Sequence, residues 1–272
     1  MFKYIIGLSC LLCNSISAQE LYIFSEPASN MPAHSLSVKQ TAKFLRNKYF
    51  GNGESRHTSE LMFGVNKNLM LHAANTLSNM YSGKTRWESV RVYGKYRFLS
   101  NDGMYSHFRM AAFIEGSISR NKEMYDELSL EGDQSGIQAG LIATQLLHKV
   151  AISATVSGTQ ILQQGRWDNR MATALTPYEA FNYSLSIGRL ILPKKYTSYS
   201  QTNLNIYAEL IGQKTTDLKR YFVDLAPGAQ LIFNSTAKLN LGYRFQLGSN
   251  MERMSAKSWL VSFEWLFLDA LK

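Results

Sequence analysis

Cysteine is nearly absent from this 272-residue chain, and both copies, Cys10 and Cys13, fall inside the first thirteen residues. The rest of the sequence therefore offers no disulfide framework and no thiolate for a metal site or a nucleophile. Long apolar runs are also missing: the only one, Tyr4 to Leu12, is far short of the roughly 20 residues a spanning helix needs. Lys3 precedes that run, and polar Asn14 and Ser15 with small Ser17 and Ala18 follow it, the layout of a secretory signal peptide cleaved after Ala18. No phosphate-binding loop, dinucleotide glycine pattern, paired-histidine zinc helix or nucleophile elbow occurs, so no cofactor is expected. The formal charge of +9 comes from lysines and arginines scattered singly along the chain. Without a dense basic stripe, nucleic acid is not an expected partner.

What is present is alternation. Val90, Val92, Gly94, Tyr96 and Phe98 stand on one side of a segment whose other side holds Arg91, Tyr93, Lys95 and Arg97. Trp259, Val261, Phe263, Trp265 and Phe267 alternate with Ser258, Leu260, Ser262 and Glu264, and Leu239 to Leu247 repeat the pattern. A period of two means strand. About twelve such segments follow one another, beginning near Leu36, Glu60, Leu69, Glu88, Ser106, Gly136, Val150, Phe181, Asn203, Tyr221, Lys238 and Ser258.

The connections alternate in length. Asn66 to Asn68, Ser100 to Gly103, Leu147 to Lys149 and Asn234 to Ala237 are tight, whereas Arg120 to Gln134 and Gln163 to Tyr178 are long and polar. Short periplasmic turns and long outer loops are the habit of outer-membrane barrels, and Pro193 to Gln201 is the one longer connection on the short-turn side. Aromatic residues near the segment ends, such as Phe98, Tyr105, Phe108, Phe181, Tyr221, Phe233, Trp259 and Phe267, fit the two girdles at a membrane boundary. A soluble sandwich would alternate too, but closure leaves no strand edge in hydrocarbon. The expected organisation is a signal peptide over 1–18, a periplasmic linker over 19–33 and, over 34–272, an all-β closed antiparallel transmembrane barrel of about 12 strands.

The segments EPASNMPAHSL, GVNKNLMLHA, YGKYRF, HFRMAAF, GLIATQLLHKVA, DLAPGAQLIFNS and LNLGYRF together resemble an uncharacterised, transporter-like family of outer-membrane barrels from Bacteroidota. The resemblance implies a barrel fold and an outer-membrane location; a barrel so placed has outer-membrane lipid and the outer-membrane assembly machinery as its expected partners. It brings no catalytic residue and no substrate.

Function must then come from the inward face. Parity places Lys39, Lys43, Arg91, Lys95, Arg97, Arg109, Glu115, Glu209, Asp224, Arg244 and Glu264 there. A lumen carrying both signs reads either as a selectivity surface for a small polar solute or as a set of paired charges filling a closed interior. The excess of cations favours anions. The expected role is a passive channel or transporter whose solute is unknown. The competing roles are a non-conducting structural or adhesive barrel whose loops bind a partner, and a lipid hydrolase using inward His72 or His107 as base. Met80, Met124, Met171, Met251 and Met254 with His57 sit in or near outer connections and are of a type that suits copper, but they share no ligand spacing. Parity further predicts that Arg91 and Glu115 meet across the hairpin formed by their two strands.

Overall fold

The computed structural model describes residues 22–46, 53–104, 106–121, 125–162, 177–194, 200–216 and 219–272. The expected signal peptide lies outside them, as does most of the second long loop. Twelve antiparallel strands form one closed barrel in which each strand pairs with its sequence neighbours and the first with the last. They are β1 Ser35–Arg46, β2 Gly53–Gly64, β3 Leu69–Ser78, β4 Arg86–Asp102, β5 Ser106–Ser119, β6 Gly136–Leu147, β7 Val150–Ile161, β8 Glu179–Leu192, β9 Asn203–Thr215, β10 Tyr221–Phe233, β11 Ala237–Ser249 and β12 Lys257–Phe267.

Eleven of these begin within two residues of the expected positions. The exception is β2, which starts at Gly53 and not near Glu60. Its first half, GESRHTS, has no apolar side, so a search for hydrophobic alternation passes over it; its backbone nonetheless pairs with β1 from Arg46↔Gly53 onward. Closure comes from ten partners between β1 and β12, from Leu36↔Phe267 to Leu45↔Ser258. An even strand count brings the start of β1 and the end of β12 to one end of the barrel, where the Leu271 amide bonds to His34 O.

The outward set is apolar. Val90, Val92, Ile114, Ile118, Leu241 and Trp259 are all exposed, with Ile118 at 73%. That surface suits lipid, and aromatic rings gather toward both strand ends: Phe44, Trp87, Phe181, Tyr221 and Trp259 at one level, Phe98, Phe108, Phe233 and Phe267 at the other. Tyr105, expected among them, lies outside the described residues. On the inward set the buried residues include, beside apolar ones such as Met62, Phe113 and Ile142, the charged or ionisable Arg56, Glu60, His72, Lys95, Arg109, Glu209, Asp224, Lys238 and Glu264, which a soluble core seldom holds.

Substituting Ile114, at the centre of the outward face of β5, by arginine is expected to cost about 2–4 kcal/mol in a vesicle-reconstituted unfolding titration. A neutral Ile114→Arg would mean that this face does not meet hydrocarbon.

Candidate functional site in the barrel lumen

One row of cross-strand partners sets the electrostatics of the wall. Lys238 on β11 faces Glu264 on β12, Glu264 faces Lys39 on β1, Lys39 faces Glu60 on β2, and Glu60 reaches Arg91 on β4 across Ala74. The signs alternate, so each charge lies beside its complement. Lys238 Nζ is 3.0 Å from Glu264, Lys39 is 4.0 Å from Glu60, and Arg91 is 3.7 Å from Glu60. Arg91 also lies 3.5 Å from Glu115 on β5; the register pairs Tyr93 with Glu115, so the expected contact is diagonal. His72 Nδ1 closes on Glu60 at 3.0 Å.

At the end where the chain termini meet, the segment expected to be a linker folds into the barrel. The Ile23 and Phe24 amides donate to Glu209 Oε1, both at 3.0 Å, and Ser25 Oγ donates to Oε2 at 2.6 Å. Lys95 Nζ donates to Glu26, Pro27 O and Ser29 O at 2.8–3.0 Å. Arg109 reaches Ser29 Oγ and Asp102, while Arg97 donates to Lys67 O in the neighbouring turn. A linker was the natural reading because polar, proline-bearing composition is the same whether a segment meets bulk water or a wet lumen.

Toward the opposite end, the described part of the connection between β5 and β6, residues 120–121 and 125–135, turns inward. Arg56 takes Asp133 through two bonds, at 2.6 and 3.1 Å, and Glu88 at 3.2 Å. Arg253 and Arg244 share Glu127 and Asp224, with the closest contact, Arg244 Nε to Asp224, at 2.6 Å. Asp126 pairs with Arg220, and Gln213 holds the Leu128 backbone through both its amide groups. Burial alone raises the carboxyl pKa of Glu127, but the charges of Arg253 and Arg244 outweigh it and hold that group well below the usual carboxylate range. Asp133 is likewise lowered, with burial opposing and Arg56 prevailing.

Between the two ends lies a cavity of about 360 Å³, bordered by Lys39, Lys43, Glu60, Arg91, Glu115 and Glu131 among others. Lys43 meets Glu131 at 3.8 Å. The structure divides the eleven residues assigned inward by parity: Lys95, Arg109 and Glu209 hold the N-terminal segment, Lys39, Lys43, Arg91 and Glu115 border the cavity, and Asp224 and Arg244 both border it and bond to loop or turn residues. Lys238–Glu264 is a wall pair, and Arg97 lies at the turn.

Among the described residues the cation excess of the sequence reading is balanced. Glu26, Glu60, Glu88, Glu127, Glu131 and Asp133 join the lumen against Arg56, Lys238 and Arg253, and the lean toward anions loses its basis. Arg56 was overlooked with the first half of β2, and Glu60, at the start of the expected strand, was not counted among the inward charges; the loop and segment acids carry no local signal that they turn inward. Met80 and Met254 pack with Tyr125 in an apolar cluster, and His57 faces outward against Phe44, an arrangement that separates them. Met124 and Met171 lie outside the described residues.

Because the Glu127 and Asp133 carboxyls are lowered on docking, the stabilisation they give is present above the ordinary carboxyl value of about 4 and is lost as pH falls below it. A Ser129→Cys variant should therefore resist an acid-tolerant thiol reagent from pH 8 to about 4 and react faster in more acid buffer. Arg253→Met should move the onset upward. Rapid labelling at neutral pH would contradict a docked loop.

No protein-family model matches the chain, and no curated protein matches it. Solved structures do. An outer membrane channel from Pseudomonas putida F1 is similar with a TM-score of 0.61 at 9% identity, covering 90% of this chain and 100% of that one. The KdgM porin gives 0.51 at 10% identity over 85% and 99%. The beta domain of the Bordetella autotransporter Brka gives 0.50 at 11% identity over 86% and 99%. At these identities the likeness establishes the fold: this chain is a closed twelve-stranded barrel of the kind found among outer-membrane channels and porins.

Proposed function

We propose that the chain is an outer-membrane channel for a small polar solute, assembled into lipid by the outer-membrane machinery and closed at rest by its own N-terminal segment and its β5–β6 loop. The observation that carries this reading is the charged, roughly 360 Å³ cavity held open between those two closures. A lumen meant only to be filled would collapse its ion pairs to contact distance, because a loosely paired charge away from water is expensive. Some pairs that border the cavity are short, with Arg56–Asp133 and Arg244–Asp224 at 2.6 Å, while Lys39–Glu60, Lys43–Glu131 and Arg91–Glu115, which border it as well, stand at 3.5–4.0 Å. That spacing suits groups solvated in a wet compartment, with water or solute between them. With both signs on the wall, the reading names a polar solute and drops the preference for an anion. Origin in Bacteroidota, implied by the sequence motifs, is part of the same proposal.

The hydrolase alternative loses ground on geometry. Near the turn end, Asp102 lies between Ser100, at 2.8 Å, and His107, at 3.0 Å. A nucleophilic serine needs the imidazole beside it and the carboxylate behind the imidazole. The non-conducting barrel remains the competing class and is decided by current.

Ser25 Oγ and Ser186 Oγ are 2.8 Å apart, close enough for a disulfide after substitution of both by cysteine. In planar bilayers the native chain is expected to show openings, the oxidised Ser25→Cys/Ser186→Cys variant to be silent, and a reductant to restore its current. If correctly folded native and reduced variant proteins both pass nothing, the channel reading fails and the non-conducting barrel takes its place.

A further inference from the structure

The N-terminal segment shows what the lumen wall recognises. Glu209 on β9 is fully buried, and the partners of its carboxylate are two consecutive peptide N–H groups, Ile23 and Phe24, with the hydroxyls of Ser25 and Ser186. Across the lumen Lys95 on β4, 1% exposed, gives two of its hydrogen bonds to peptide carbonyls, Pro27 O at 2.8 Å and Ser29 O at 2.9 Å. Thr144 on β6 accepts the Ala28 N–H at 2.9 Å. An acid for N–H groups and a base for carbonyls, both desolvated and set on opposite walls, match a peptide main chain that bends at residues 23–25 to turn two consecutive N–H groups onto one carboxylate oxygen.

The side chains have seats as well. The wall at Gly242 has no Cβ, and one built there would meet Ile23 Cδ1 and Phe24 Cε2 at 3.1 Å; at Gly188 it would meet Tyr22 Cε1 at 3.4 Å. Tyr22 stands edge-on to Tyr207 with centroids 6.2 Å apart and donates to Ala151 O. Glu26 is taken by the Tyr93 hydroxyl at 2.8 Å and by Lys95 at 3.0 Å. Apolar seats are thus followed, two to four residues on, by a seat for an acid.

We infer that the lumen is a binding site for an oligopeptide, occupied in cis by residues 22–30, and that the solute of the proposed channel is a peptide with aromatic or aliphatic residues preceding an acidic one. This rests on the channel reading only for the word solute; the peptide site stands or falls by itself. A saccharide offers hydroxyls but no run of N–H donors for Glu209 with carbonyls for Lys95. An inorganic anion is repelled by Glu209, and a small cation by Lys95.

The test uses the full chain with the segment released by changes confined to it, Phe24→Asp and Glu26→Lys, which put an acid in the apolar seat and a cation against Lys95. Refolding is followed by the heat-dependent gel shift of a closed barrel, and Glu26→Lys alone serves where the double variant does not refold. The probe is a fluorescein-labelled nonapeptide Tyr-Ile-Phe-Ser-Glu-Pro-Ala-Ser-Asn, read by anisotropy. Saturable binding is expected, weakened at least tenfold by adding Glu209→Gln or Lys95→Met. A control peptide carrying the same Asp and Lys changes should bind at least tenfold more weakly, and a malto-oligosaccharide of similar length should not compete. No saturable binding, or equal binding of the control peptide, overturns the peptide site. Conductance of the same variant separates the two claims: peptide binding without current removes the channel and keeps the site, whereas current that the peptide neither blocks nor slows removes the site and keeps the channel.

Discussion

A charge carried into a closed barrel has to find its complement inside it. Twelve strands that alternate apolar and polar residues put every second side chain into a space with little bulk water, and many of those side chains here are ionised. The cost of desolvating them is several kcal/mol per ion unless geometry compensates it. The ladder Lys238, Glu264, Lys39, Glu60 and Arg91 solves this within the wall, by register. Lys95, Glu209 and Arg56 are completed from outside it, by the N-terminal segment and the β5–β6 loop. The two closures are thus consequences of wall chemistry: each delivers hydrogen-bonding groups of the kind that buried wall charges require.

That division also sets which parts can move. Removing either closure strips a buried ion of its partners, so each opening must be matched by entry of water or of something with equivalent groups. A channel whose gate is held by polar contacts of this kind opens by exchange of partners, and the solute with groups most like those of the gate exchanges most readily. In the proposed channel, gating and selectivity would meet the fold at the same few residues, Glu209 and Lys95 on one end and Arg56 and Arg253 on the other.

Most of the barrel was legible in the sequence because a period of two is imposed by lipid on one face and lumen on the other, and β4 and β12 show it without interruption. Half of β2 was not, because Ser55, His57 and Ser59 point outward without being apolar, and pairing with β1 decides its structure. The side of the strand was legible for charged residues such as Lys95, Glu209 and Asp224, and the Arg91–Glu115 diagonal followed from it. Their partners were not. Glu26, Glu127 and Asp133 sit in polar stretches whose composition is the same in water and in a lumen, so only the folded geometry distinguishes a linker from a plug or an outer loop from a constriction.

Residues 22–30 are part of the folded barrel, bonded to its wall. Hydrogen exchange of the full-length protein in detergent or lipid tests it directly, since the Ile23, Phe24 and Ala28 amides are donated to Glu209 and Thr144. Protection of the peptide spanning them comparable with that of the strands, and lost on Glu209→Gln, is the result expected here. Complete exchange of that peptide within seconds, with the strands still protected, would contradict it.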